Sequence, residues 1–301
     1  IGSLAASEEE RPPRKLHGYR VTRQSLNQVV DRLITMTPAQ RRELAPINDR
    51  RAEIIVPGAL ILQTTMKMLG VEEFVLSERA LREGLIVDWM LRQGLLEDRF
   101  SFQSSIRQRT VLHQVQRFAV NQSRAERVAS HALSLYDATR GVMHDDSGEG
   151  RELLWAAAML HTCGQHINIS AYHKHTWYLI RHGELLGYSE AEHLMVAAIA
   201  RYHRRSLPKK RHESWQLVAT RDNRRCVHQM ALLLRLAAAL DRRPEPVISA
   251  LRIHAVKGSL DLEIVPERVN QNVSLEQWSL EGCAEVVKEA VGVNLRVRVQ
   301  G

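Results

Sequence analysis

Apolar positions recur at helical spacing along most of the chain. Between about Ser25 and Met36, Leu26, Val29, Val30, Leu33 and Ile34 fall three or four apart, the stripe of an amphipathic helix. Thr37 ahead of Pro38 reads as the N-cap of a further helix with proline in its first turn. From about Ser104 to Arg243 the pattern is helical throughout. Val111, Val115, Phe118 and Ala119 make one stripe, and Val128, Ala132, Leu135 and Tyr136 another. Residues 152–161 are nearly all apolar, as expected of a central buried helix. Residues 190–203 and 226–240 supply two more helices.

Shorter patterns flank this helical domain. Residues 53–56 are a β-branched run ended by Pro57-Gly58; residues 59–69 are helical and Gly70 closes them. Residues 73–76 read as a strand, and Ser77 as the cap of a helix running to about Arg92, with Gly94 beyond it. Two strands alternating with two helices predict a βαβα piece with parallel strands. After Pro244 and Pro246, "LRIHAV", "KGS" and "LDLEIV" spell a hairpin; Ser274 opens a helix through Ala290, Gly292 stops it, and "VNLRVRV" alternates as a last strand. Residues 1–18, charged and carrying Pro12-Pro13, read as a disordered lead-in. The expectation is a mostly helical α+β protein in four parts: the lead-in, a partial α/β piece over 19–97, an all-α domain over 98–246, and a small ββαβ domain over 247–301.

Composition narrows the function. A formal charge of +8 favours a polyanionic partner. The three cysteines, Cys163, Cys226 and Cys283, form no CxxC pair, which predicts reduced thiols and a cytoplasmic protein. No apolar run reaches the roughly 18–20 residues of a membrane helix; "MALLLRLAAAL" is interrupted by Arg235. The chain starts at Ile1 and its first residues lack the apolar core of a signal peptide, so it reads as a piece of a longer protein.

Half of the 14 histidines lie between His161 and His203, which directs the search for chemistry there. His131, His161 and the distant Asp241 follow the order in which HD phosphohydrolase domains hold a metal. Thr162 stands where the His-Asp pair needs its carboxylate, and a neutral hydroxyl is a poor ligand for a hard divalent cation. His173 and His175 lie two apart, so on a helix they point different ways, with Lys174 between them. Next comes "ARYHRRSLPKKRH". Six of residues 201–211 are Lys or Arg (Arg201, Arg204, Arg205, Lys209, Lys210 and Arg211), with His203 among them. A helix would place Arg201, Arg204 and Arg205 on one face. Guanidinium forks match phosphate oxygens and lysines add point charge. Only Tyr202 and Trp215 offer nearby stacking, which disfavours single-stranded nucleic acid and favours a phosphate chain without bases. A solvated basic loop, an active HD metal site and a nucleic-acid-binding module stay open as alternatives.

The segments "INDRRAEIIVPGALIL", "LSERALREGLI", "AAMLHTCGQHINISAYHKHTWYLI" and "ARYHRR" together resemble, in order, the exopolyphosphatase/guanosine pentaphosphate phosphohydrolase family. The resemblance runs from about Tyr19 to the end. It implies the end of the second of two actin-like domains, then an HD-like helical domain and a small C-terminal domain. It further implies that the catalytic carboxylates and their Mg²⁺ lie mostly N-terminal to this chain, and that the degraded HD-like domain is a polyphosphate-binding platform. The substrate implied is inorganic polyphosphate or guanosine pentaphosphate, and the intact enzyme is implied to be a homodimer without membrane attachment. Glu53 stands where that family usually has Asp, and Pro57 where it usually has a small residue before Gly58.

Overall fold

The structure, a computed structural model, describes residues 1–9, 12–13, 16–77, 81–92, 105–145 and 148–300. The chain divides into two compact units: residues 1–99 with 187–190, and residues 100–186 with 191–301. The fold is α+β and mostly helical.

The first unit runs α1 (Gly2–Ser7), β1 (Arg20–Thr22), α2 (Arg23–Thr35), α3 (Pro38–Arg42), α4 (Asp49–Ala52), α5 (Ile55–Leu69), β2 (Glu73–Val75) and α6 (Leu81–Arg92). The Thr22 hydroxyl accepts from Ser25 N at 3.1 Å and starts α2, whose Leu26, Val29, Val30 and Leu33 are buried in the core. Thr37 and Gln40 form a capping box around Pro38. Gly70 ends α5 at φ 64°, a conformation a Cβ would strain.

Three expectations for this unit change. The lead-in is not all disordered: α1 buries Leu4, Ala5 and Ala6, because a short stripe of small apolar residues finds a core to pack on. Residues 53–56 are not a strand. Asn48 caps α4, accepting from Arg51 N at 3.0 Å, and α5 begins at Ile55. Pro57 sits inside the first turn of α5, where its missing N–H is not needed, so proline there continues a helix instead of ending a strand. Glu53 and Pro57 therefore flank a helix start. The partner of β2 is β1, and the pair is antiparallel in the register Arg20↔Val75, Val21↔Phe74, Thr22↔Glu73. Three residues are too few for alternation to mark β1 in sequence. Ser77 is followed by residues 78–80, and Gly94 lies in 93–104; these fall outside the described residues.

The second unit runs α7 (Ile106–Arg117), α8 (Gln122–Ala138), α9 (Glu149–Leu160), a 3₁₀ turn (Cys163–His166), α10 (Tyr172–His182), α11 (Glu190–Tyr202), α12 (Glu213–Gln216), α13 (Arg221–Ala239), β3 (Ile248–Val256), β4 (Ser259–Pro266), α14 (Ser274–Glu281), α15 (Ala284–Val291) and β5 (Asn294–Val299). α9 packs against α7, α8 and α13 and is buried around most of its circumference, as its unbroken apolar run requires. The 3₁₀ turn is pressed onto α10. Thr176 Oγ1 accepts from Gly164 N and donates to His161 O, both at 3.1 Å. That contact fixes the backbone between His161 and Tyr172.

The C-terminal sheet has the order β3-β4-β5, with the hairpin antiparallel and β4–β5 parallel. A parallel return needs a crossover, which α14 and α15 supply. The expected single helix is broken at Gly282 and Cys283, so there are two. Arg243 Nε lies 3.2 Å from Oε1 of the fully buried Glu276, an ion pair between the segment after α13 and α14.

Candidate functional site

The basic run does not form one helical face. α11 stops at Tyr202, and Arg205 adopts a left-handed backbone with φ 63°. The cause is local capping. His203 Nδ1 hydrogen-bonds Ala200 O at 2.6 Å, and Arg235 Nη2 donates to Tyr202 O at 3.2 Å and to Arg205 O at 2.7 Å. Arg201 lies over the Tyr202 ring, whereas Arg204 lies 4.6 Å over the Tyr172 ring. Tyr202 itself is buried, its hydroxyl 2.8 Å from Ser214 Oγ, so that ring is not a free stacking platform.

The charges nevertheless converge. Burial, then Arg204, Arg201, Lys174 and Arg205 in that order, push the His173 imidazole down to about 4. His212, absent from the candidates chosen by sequence, is held below its ordinary value by burial and by Arg201, Arg211, Lys209 and Lys174. The cations on α10, at the end of α11 and in the loop before α12 thus share one field. Lys210 is exposed in that loop, its carbonyl accepting from Gln216 Nε2 at 3.0 Å. His175 lies on α10, next to Lys174 in the chain.

At the inner edge of the run a cavity of about 390 Å³ opens between α8, α10, α13 and α14. Arg124, Arg204, Arg235 and Arg242 line it, together with His161, His203, Tyr172 and Asp241. Among the described residues its one acidic lining residue is already committed: Asp241 Oδ2 accepts from Arg124 Nε at 2.6 Å, and Oδ1 from Arg127 Nε at 2.9 Å. Arg124 Nη2 also donates to Asp241 O at 2.6 Å. The pocket is therefore a cationic recess whose internal carboxylate is used up, the arrangement an anion would complete. Arg124, Arg235 and Arg242 were not among the sequence candidates. The break that Arg235 makes in the apolar run of α13 was the one available sign.

The three residues expected at a metal do not present a ligand set. Both carboxylate oxygens of Asp241 face guanidinium groups. His131 is held below its ordinary value by burial first, with Asp241 opposing and Arg127 adding to the effect. Among the described residues no group of three or more His, Cys, Asp or Glu is placed to hold a metal ion. The chemistry of this donor set does not fit a divalent cation.

His161 and His203 are buried, with ring centroids 5.2 Å apart and near-perpendicular planes. His161 Nδ1 meets Ala158 O at 2.6 Å as His203 Nδ1 meets Ala200 O. A carbonyl only accepts, so both Nδ1 atoms carry the proton, and in the neutral rings both Nε2 atoms are lone-pair acceptors. Burial pushes His161 down to about 4, and pushes His203 well below 6.5, followed in effect by the neighbouring His161. Each imidazole has a lowered folded-state value, so the unfolded chain takes up protons first as the pH falls. The contribution of the pair to stability is full above about 6.5 and is lost as the pH falls from there through about 4. The urea midpoint is expected to drop across that window; a midpoint that stays level from pH 7 to 4.5 would contradict the buried neutral pair.

The three cysteines are free thiols, and Cys283, also in the pocket wall, has its thiol pushed up by burial against the opposing fields of Arg235 and Arg242. Among the described residues no helix is long and apolar enough to cross a membrane.

The pattern of the Ppx/GppA phosphatase, domain III, matches residues 106–283, and that of the Ppx/GppA phosphatase family matches residues 2–93. The chain belongs to the Ppx/GppA phosphatase family. Among Ppx/GppA relatives, a guanosine-5'-triphosphate,3'-diphosphate pyrophosphatase of Pseudoalteromonas translucida (strain TAC 125) is 33% identical over 167 residues, 56% of this chain and 32% of the relative. One of the same name from Pseudoalteromonas atlantica (strain T6c / ATCC BAA-1087) is 32% identical over 160 residues, 53% of this chain and 30% of the relative. The matched part thus spans about a third of each relative's length. The arginine-lined pocket lies within the stretch matched by domain III of the Ppx/GppA pattern.

Proposed function

We propose that this chain is the C-terminal part of a phosphoanhydride hydrolase of the exopolyphosphatase type, and that its helical unit holds the phosphate chain and does not cleave it. The observation that carries this reading is the pocket that, among the described residues, is lined by four arginines and one acidic residue, the latter already paired with Arg124 and Arg127. The basic run continues that pocket outward: Arg201, His203, Arg204, Arg205, Lys209, Lys210 and Arg211 follow one another, with His173, Lys174 and His175 alongside on α10. A chain of phosphates could leave the recess without leaving the cationic field. Water activation, and the Mg²⁺ that would lower the pKa of that water, belong in this reading to segments outside the chain. The intact protein would be a homodimer.

The names of the relatives favour guanosine pentaphosphate as the other substrate for the whole protein. Both candidates offer several linked phosphates, and the pocket volume admits more than one. The test is titration of long-chain polyphosphate against the 301-residue chain and against a variant neutralised at Arg204, Arg205, Lys209 and Lys210. Affinity should fall about tenfold or more, with a shallower dependence on salt. Unchanged affinity would refute the reading. Duplex DNA displacing polyphosphate at equal concentration would instead support a nucleic-acid module.

A further inference from the structure

Beyond its arginines, the pocket holds an acceptor that a bare polyanion cannot use. His161 is only 4% exposed, and its Nδ1 is committed as a donor to Ala158 O at 2.6 Å. Its Nε2 lone pair has no hydrogen-bond partner among the described residues, although the residue lines the cavity. The second imidazole is already served: His203 Nε2 lies 3.1 Å from the Tyr172 hydroxyl, which donates to it. A fully deprotonated phosphate, facing a lone pair, would be repelled there and satisfied only at the arginines. A ligand that completes the site presents anionic oxygens to guanidinium groups and one O–H to His161.

We infer that this pocket recognises a terminal phosphoryl group in its singly protonated form, its P–OH donating to His161 Nε2 while its other oxygens accept from the pocket arginines. This rests on the reading of the helical unit as a phosphate-chain site and adds what that site distinguishes. Terminal phosphoryl groups carry a weakly acidic second oxygen, with a pKa near about 6 for phosphate esters. Internal phosphates of a chain, and every phosphate of a ring, have only the strongly acidic oxygen and bring no proton at neutral pH. The site is thereby selective for the end of a chain over its middle. No proton is transferred: the group arrives protonated and leaves protonated. Burial keeps His161 neutral under conditions where the ligand holds its proton, so donor and acceptor coexist.

The test compares linear tripolyphosphate with cyclic trimetaphosphate, and inorganic phosphate with sulfate, by calorimetry at pH 6 on the full chain. The linear triphosphate should bind at least about tenfold more tightly than the ring, and phosphate more tightly than sulfate, the size of one lost hydrogen bond to a charged group. His161→Phe removes the acceptor and should erase the linear preference while leaving ring binding in place. Should that variant fail to fold, phosphate against sulfate on the unaltered protein decides, because sulfate carries the larger charge at pH 6 and charge alone would favour it. Equal binding of tripolyphosphate and trimetaphosphate would overturn the end-recognition proposal and leave the phosphate-chain reading standing. No binding of either, nor of long polyphosphate, would overturn both.

Discussion

Gly164→Ala is expected to destabilise the helical unit by about 4 kcal/mol or more, among the largest effects of a single methyl group. An added Cβ would lie 2.1 Å from Tyr172 O, 2.3 Å from Thr176 N and 2.7 Å from Thr176 Oγ1. Two of those atoms are backbone, so no side chain can swing aside; the first turn of α10 would have to move. That turn carries Tyr172, whose hydroxyl meets His203 and whose ring lies under Arg204. Stability and pocket geometry should therefore fail together. Urea unfolding checks the first, and phosphate titration of whatever folds checks the second. A variant within about 1 kcal/mol of the parent would mean that the 3₁₀ turn is not pressed onto α10 as described.

Asp241→Ala should cost about 2 kcal/mol, below the range for a fully buried pair, because the carboxylate is buried but Arg124 and Arg127 are partly exposed and solvent screens the charges left behind. Asp241 is 6% exposed but lines the cavity, so water entering from the cavity offsets part of the lost hydrogen bonding. Arg124 would keep only its bond to the residue-241 carbonyl, and its orientation in the pocket would loosen. Phosphate binding can then change in either direction, so the discriminating readout is stability. An unfolding midpoint that holds steady while bound manganese or zinc disappears would restore Asp241 as a metal ligand.

The contrast between these two sites shows how much of the molecule could be read in advance. The helical frame was legible because its evidence is local. The stripe of Leu26, Val29, Val30 and Leu33, the Thr37-Pro38 cap and the unbroken apolar run of α9 each express a periodicity or a cap within a few residues. The hairpin of β3 and β4 was legible for the same reason. Errors fell where two local signals compete. Ile54, Ile55 and Val56 favour a strand, yet Pro57 fits the first turn of a helix, and packing chose the helix. Likewise Arg201, Arg204 and Arg205 have helical spacing, but His203 and Arg235 cap the carbonyls and turn the chain away.

What the sequence by itself determined was a mostly helical α+β chain with a run of six Lys or Arg residues and Thr162 where a His-Asp pair would have its carboxylate. Family membership follows from the same string of residues. What only the tertiary structure decided was which charges cooperate. Arg235 and Arg242 lie on and just after α13, beside Asp241 in the chain, but Arg124 comes from α8 and His161 from the end of α9, and nothing along the chain joins those three segments. Asp241 passes from candidate ligand to holder of two guanidinium groups for a reason 117 residues away in sequence, at Arg124. Electrostatic partners are set by distance through space, and distance through space is what folding adds to a sequence.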